Sequence, residues 1–179
     1  MTAENYHELL ANPVIQEIAP RQLMGIRRNM SLTENGTFAL WQAFMKQKNR
    51  LSGPFSDLLY SLQCYPPGYF EHFNPDTTFE KWAATEMDVN DHLPEGMELF
   101  LLKGGLYAVF IYKGTADKAV SVFVYIFRSW LPESGYLLDD RPHFERMGVN
   151  YDPNDPTAEE EIWIPVKRKD ELYPELKQM

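Results

Sequence analysis

A single cysteine in 179 residues removes whole classes of chemistry. Cys64 has no second thiol to pair with, so no internal disulfide closes a loop and no thiolate cluster can form. A lone cysteine of this kind usually behaves as a small buried hydrophobe. His7, His72, His92 and His143 show no metal-ligand spacing, and there is no HExxH element. No metal and no cofactor are therefore expected. Gly104-Gly105 is too short and wrongly flanked to cradle a phosphate, and no nucleophile elbow supports Ser-His-Asp catalysis. No apolar run reaches the roughly 18 residues of a membrane helix. Met1 to Ala11 is acidic and polar where a signal peptide needs a basic start and an apolar stretch. Both observations lead us to expect a cytoplasmic protein with no membrane partner.

Positive charge is also scarce. Seventeen Lys and Arg face 26 Asp and Glu, for a net charge of −9. Such a surface repels a phosphate backbone, so no direct nucleic-acid binding is expected. Arg21, Arg27 and Arg28, and the run Lys167-Arg168-Lys169, read as solvated strand ends.

Aromatic residues are abundant instead. Eleven Phe, ten Tyr and four Trp make up 14% of the chain, more than a plain core requires. Pockets for organic molecules are lined by such side chains with a few polar groups.

The residue pattern predicts an α+β chain. Val14 to Leu32 reads as one irregular strand, with Pro13 and Pro20 arguing against helix. A helix is expected from about Thr37 to Arg50, with Phe38, Trp41, Phe44 and Met45 as its apolar stripe. Ser52-Gly53-Pro54 stops it, and strands follow over Leu58 to Tyr65 and Phe79 to Met87. After Pro94-Glu95-Gly96 the order begins again. Met97 to Tyr112 is extended and broken at Gly104-Gly105. A helix runs from about Asp117 to Trp130 on a stripe of Val120, Phe123, Val124, Phe127 and Trp130. Strands are expected over Phe144 to Val149 and Glu161 to Lys167. Strand–helix–strand–strand thus occurs twice, over about residues 14–88 and 96–168, within one domain of residues 1–179. Two such units would form a curved, mainly antiparallel sheet with both helices on one face.

The second half carries recognisable text. Gly105-Leu106-Tyr107-Ala108-Val109-Phe110, followed by Gly114, resembles the "YAVF…G" strand of the GyrI-like family. Ser129-Trp130-Leu131-Pro132-Glu133-Ser134-Gly135-Tyr136 is similar to its helix end, and Arg141-Pro142-His143-Phe144-Glu145-Arg146 to its "FE.Y" strand. Glu161-Ile162-Trp163-Ile164-Pro165-Val166-Lys167 resembles its closing "I.IP(I/V)K" strand. These motifs cover Gly105 to Lys167; the first half agrees in element order and in Gly25. The resemblance implies a doubled strand–helix–strand–strand fold. The family includes effector-binding halves of AraC-type and MerR-type regulators, gyrase-inhibitor proteins and hydrolases of cyclopropanoid compounds. Its shared functional residue, the Glu of "FE", matches Glu145. Where the family often has Tyr two residues later, this chain has Met147, a departure that touches ligand specificity and not the fold.

Glu145 is the sharpest candidate. Strand alternation puts His143, Glu145 and Met147 on one face, and Trp163 opposite the apolar face of Ile162, Ile164 and Val166, where it is expected to face the ligand on the side of Glu145. A carboxylate among aromatic rings suits an organic cation, because Coulomb attraction and cation–π contact add where water is thin. From the residues alone Glu145 reads as a solvated or arginine-paired glutamate; the motif match reverses this and assigns it to function. Tyr107 reads either as a hydrogen-bonding site residue or as a core tyrosine. Trp41, Phe44, Tyr65 and Trp82 are candidate walls that would singly pass for core.

The leading expectation is a stand-alone module that binds a cationic or amphipathic organic molecule. About fourteen residues precede the first strand, too few for a helix-turn-helix, so a sensor, a sequestering protein or the partner of a regulator is expected. An alternative is a hydrolase of cyclopropanoid-type electrophiles using Glu145 as general acid or base. A third is a protein–protein inhibitor of a topoisomerase, DNA gyrase, whose partner surface would be this chain's acidic one.

Overall fold

The computed structural model describes residues 12–49, 56–87 and 92–172. The expected leader, the helix end at Arg50 with its Ser52-Gly53-Pro54 stop, and part of the join near residues 88–96 lie outside them. Among the described residues the chain is an α+β protein of nine strands, and every strand pairing given below is antiparallel. It divides into two compact units: one holds Ala19–Gly104 with Asp140–Val149, the other Gly105–Asp139 with Asn150 onward and the stretch ending at Ile18.

The unit that carries Glu145 is built on five strands. They are β2 (Arg21–Met30), β3 (Leu58–Cys64), β4 (Phe79–Glu86), β5 (Glu98–Leu102) and β8 (His143–Gly148). Neighbours run β8-β3-β4-β2-β5. The middle strands are buried on both faces: β3 buries Leu59 through Gln63 and β4 buries Lys81 through Thr85, with Ser61, Gln63, Lys81 and Thr85 as the polar members. Helix α1 (Thr37–Lys48) packs on β2 and β4 and buries Leu40 and Phe44, one turn apart. Lys46 and Lys48 sit in its last turn, where they complement the helix dipole. Phe38, assigned to the buried stripe from spacing, is 79% exposed; the i, i+4 pair Leu40/Phe44 defines the packed face. Gly25 lies inside β2 opposite Ala84, and a Cβ there would come within 2.7 Å of Ala84 Cβ, so only glycine lets these strands approach.

The other unit contains β1 (Val14–Ile18), β6 (Gly105–Lys113), β7 (Tyr136–Leu138) and β9 (Glu159–Arg168). β6 lies between β1 and β9, and β7 pairs with the end of β9. Ala108, Phe110, Tyr112, Ile162, Ile164 and Val166 form its core with Val122 and Ile126. Those last two belong to a helical segment: a 3-10 turn Ala116–Lys118, helix α2 (Ala119–Tyr125), a π turn Ile126–Trp130 and a final turn Leu131–Glu133. The expected stripe is rotated. Val120 is 69% and Val124 46% exposed, while Val122 and Ile126 point inward with Phe123, Phe127 and Trp130 beside them. A helix apolar nearly all round offers more than one stripe, and the facing strands select among them.

In chain order the elements run β2-α1-β3-β4 and later β6-α2-β8-β9, with the short β7 inserted between α2 and β8. Three elements were not expected. The single strand over Val14 to Leu32 is two, β1 and β2, because Pro20 and the preceding Ala19 interrupt the ladder. β7 forms where the residue pattern assigns no element, and a short helix α3 (Lys169–Leu172) follows β9. The expected break at Gly104-Gly105 does separate β5 from β6, with Gly105 at φ 135°.

Candidate functional site

β8 reads His143, Phe144, Glu145, Arg146, Met147, and its pleat sends His143, Glu145 and Met147 to one side. Register then decides their company. Glu145 stands opposite Ser61 and His143 opposite Gln63 on β3, while Gln63 stands opposite Lys81 on β4. Gln63 is thus the diagonal neighbour of Glu145, within reach of a long side chain.

The carboxylate is held by two donors. Gln63 Nε2 donates to Glu145 Oε1 at 2.8 Å and to Oε2 at 3.0 Å. Lys81 Nζ donates to Oε2 at 3.3 Å. Gln63, Lys81, His143 and Glu145 are all buried, between 4% and 8% exposed. A charge taken out of water is costly unless paired and hydrogen-bonded, and Glu145 is both. Two buried polar atoms nearby lack a partner: Gln63 Oε1 and the Tyr69 hydroxyl.

Aromatic rings gather at the same place. Tyr65 follows β3, and its ring lies 4.5 Å from Tyr69, 4.9 Å from Phe70, 5.0 Å from Phe79 and 5.1 Å from His143. Phe70 stacks on the His143 imidazole at 5.2 Å. The turn after Pro66-Pro67 supplies Tyr69 and Phe70. It needs Gly68 at φ +74°, whose carbonyl accepts from the Glu71 and His72 amides. Phe70 and Phe73 at the edge of this cluster are exposed.

Electrostatics follow from the burial. Desolvation pushes the Tyr65 phenol well above its ordinary value, and the Glu145 charge adds to this. His143 is held neutral, its pKa lowered by burial to about 3. Burial raises the Cys64 thiol to about 12, with Glu80 adding to it. Among the described residues no group of three or more His, Cys, Asp or Glu could hold a metal, and no helix is long and apolar enough to cross a membrane.

Of the residues singled out from the sequence, Tyr65 and Met147 share the unit and face of Glu145. Trp82 turns to the opposite face of β4 from Lys81. Its Nε1 donates to Glu80 at 2.6 Å, its ring tilts against Phe100 at 4.9 Å, and the Arg27 guanidinium lies 5.7 Å above it. Arg27 also donates to Glu80 and Glu98, so it is paired as well as solvated, with its side chain 48% exposed. Arg21 is likewise paired, with Glu86. Trp41 is half-buried on α1 with its ring edge-on to Phe44, which is fully enclosed. Tyr107 and Trp163 are buried in the other unit, 5.9 Å apart, and Trp163 Nε1 donates to Glu161 at 2.8 Å.

Sequence reasoning missed Gln63, Lys81, Tyr69, Phe70 and Phe79, and gave His143 no role. Only the run Tyr65-Pro66-Pro67-Gly68-Tyr69-Phe70 carried a signal, as a turn too aromatic for a plain loop. Nothing local marks Gln63 or Lys81, because strand pairing brings them to Glu145 from 82 and 64 residues away.

Comparison with known proteins agrees with this architecture. Transcriptional regulator BrlR of Pseudomonas aeruginosa is 27% identical over 129 residues, which cover 71% of this chain and 45% of BrlR. The chain thus spans less than half the length of that relative. The structure of SAV2435 bound to tetraphenylphosphonium superposes with TM-score 0.64 at 20% identity, covering 90% of this chain and 97% of that one. The EcmrR C-terminal domain superposes with TM-score 0.65 at 13% identity, covering 87% and 97%. A family model, the GyrI-like small molecule binding domain, matches residues 11–167. The chain belongs to the GyrI-like small-molecule binding domain family.

Proposed function

We propose that this chain binds an organic cation with a substantial apolar body. The charge is held at Glu145, and the body rests against Tyr65, Tyr69, Phe70 and Phe79, with Met147 beside the carboxylate. One observation carries the reading: a buried carboxylate stands next to a cluster of aromatic rings on a single face. Coulomb attraction and cation–π contact reinforce each other there because little water screens them. That SAV2435 has been solved with tetraphenylphosphonium supports the ligand class. Similarity to the transcriptional regulator BrlR, together with membership in a small-molecule binding family, supports a role as the sensing part of a regulatory system.

Calorimetric titration with lipophilic cations and neutral analogues, on wild type and Glu145→Gln, tests this. The expected result is saturable binding of cations that weakens at least about tenfold in the variant, as loss of a charge-assisted contact implies. Equal binding of neutral analogues, or indifference to the substitution, would overturn the reading. Consumption of an electrophilic ligand by wild type and not by Glu145→Gln would instead favour hydrolysis, with the carboxylate as general acid or base.

A further inference from the structure

Resting on Glu145 as the cation site, we infer that the site selects protonated amines over permanently charged onium ions of similar shape. Lys81 is the chain's own occupant of that position.

The Gln63 amide supplies the first argument. Its nitrogen donates to both Glu145 oxygens, which fixes which end of the amide faces the carboxylate. The opposite orientation would set a carbonyl oxygen against two carboxylate oxygens. Gln63 Oε1 is therefore a true acceptor, and it is buried with no donor. Buried acceptors are nearly always satisfied, so an orphan beside a charged group asks for a donor from outside the chain. The Tyr69 hydroxyl, buried and unpartnered in the same ring cluster, repeats the request.

Lys81 supplies the second. Its ammonium contacts Glu145 at 3.3 Å, longer than the roughly 2.7–2.9 Å of a strong charge-assisted bond. What the carboxylate holds is thus a primary ammonium at the end of a long stem. A free ammonium has three donors and is able to serve Glu145 and Gln63 Oε1 together. A quaternary ammonium or phosphonium brings charge and cation–π attraction but no hydrogen, and leaves Gln63 Oε1 stranded. Sites built around a hydrogen bond discriminate strongly against ligands that lack the donor. The ligand class is an amphiphilic primary or secondary amine, or an amidine, with an aromatic body, and its entry exchanges one ammonium for another.

Calorimetric titration at pH 7 with naphthylmethylammonium and its mono-, di- and trimethylated analogues tests this on the intact chain. Affinity is expected to fall with each N–H removed, by about tenfold or more from the primary to the trimethylated ion. Gln63→Met should bring that ratio close to one without weakening the trimethylated ion, and Lys81→Met should tighten binding of the whole series. If the trimethylated ion binds wild type as tightly as the primary amine, selection by N–H is wrong, while Glu145-dependent binding of both would leave the cation reading standing. Unchanged affinities in folded Lys81→Met would remove Lys81 as the occupant. If no member binds wild type or Lys81→Met, the cation reading itself falls. The methylation series needs no variant, so it decides the question even where a substitution prevents folding.

Discussion

Lys81 and Glu145 are 3.3 Å apart with side chains only 8% and 11% exposed, so each is the other's principal charge partner. Removing one leaves an uncompensated buried charge. Lys81→Met and Glu145→Leu are each expected to cost about 3 kcal/mol or more, measured by urea denaturation. The double variant should recover most of that loss, since an apolar pair of similar volume often replaces a buried ion pair without penalty. Saturating amine should raise the melting temperature of Lys81→Met more than that of wild type.

His143 gives the protein an acid-sensitive element. Its folded pKa, about 3, lies below the ordinary value of 6.5 because burial disfavours the imidazolium. The unfolded chain therefore binds the extra proton first as pH falls. The neutral His143 contributes its full stability above about pH 6.5, and this is lost progressively toward pH 3. The slope approaches about 1.4 kcal/mol per pH unit. Denaturation midpoints at steps from pH 7.5 to 4.5 should decline in wild type and decline less in His143→Phe, which keeps a ring to stack on Phe70. Parallel slopes would show that other groups carry the acid sensitivity.

Cys64 should be nearly inert in the native state. The thiolate is the reactive form, and burial raises this thiol to about 12. Alkylation by iodoacetamide at pH 8 is expected to be at least about tenfold slower in native protein than in urea. Comparable rates in the two states would mean that Cys64 is exposed and ionised more readily than its surroundings imply.

Two substitutions probe the scaffold of the Glu145 unit. Gly25→Ala sets a methyl group against Ala84 on the neighbouring strand, where only backbone movement relieves the overlap, and should cost about 1–3 kcal/mol. Phe44→Ala empties the space under α1 and should cost about 3–5 kcal/mol. Both are read from urea midpoints, with circular dichroism confirming that the strands persist.

The alternation of β8 is legible in its residues alone, since a pleat allows only two faces and His143, Glu145 and Met147 have to share one. The break at Gly104-Gly105 is legible too. Helix rotation is not: Phe38 and Val120 fit an apolar stripe as well as Leu40 and Val122 do, and only contact with strands from elsewhere in the chain separates them. Arg21 and Arg27 look like free surface charge in the sequence because Glu86, Glu80 and Glu98, their partners, are at least 53 residues away.

By itself the sequence determined the two main helices, most of the strands, the family and the strand that offers Glu145, because these depend on local periodicity and on motifs written in consecutive residues. Tertiary structure alone decided what surrounds that carboxylate. Gln63 and Lys81 reach it through strand register, a set of long-range hydrogen bonds in which a shift of one residue would turn either side chain to the other face. The same register leaves Gln63 Oε1 without a donor, which no local pattern encodes.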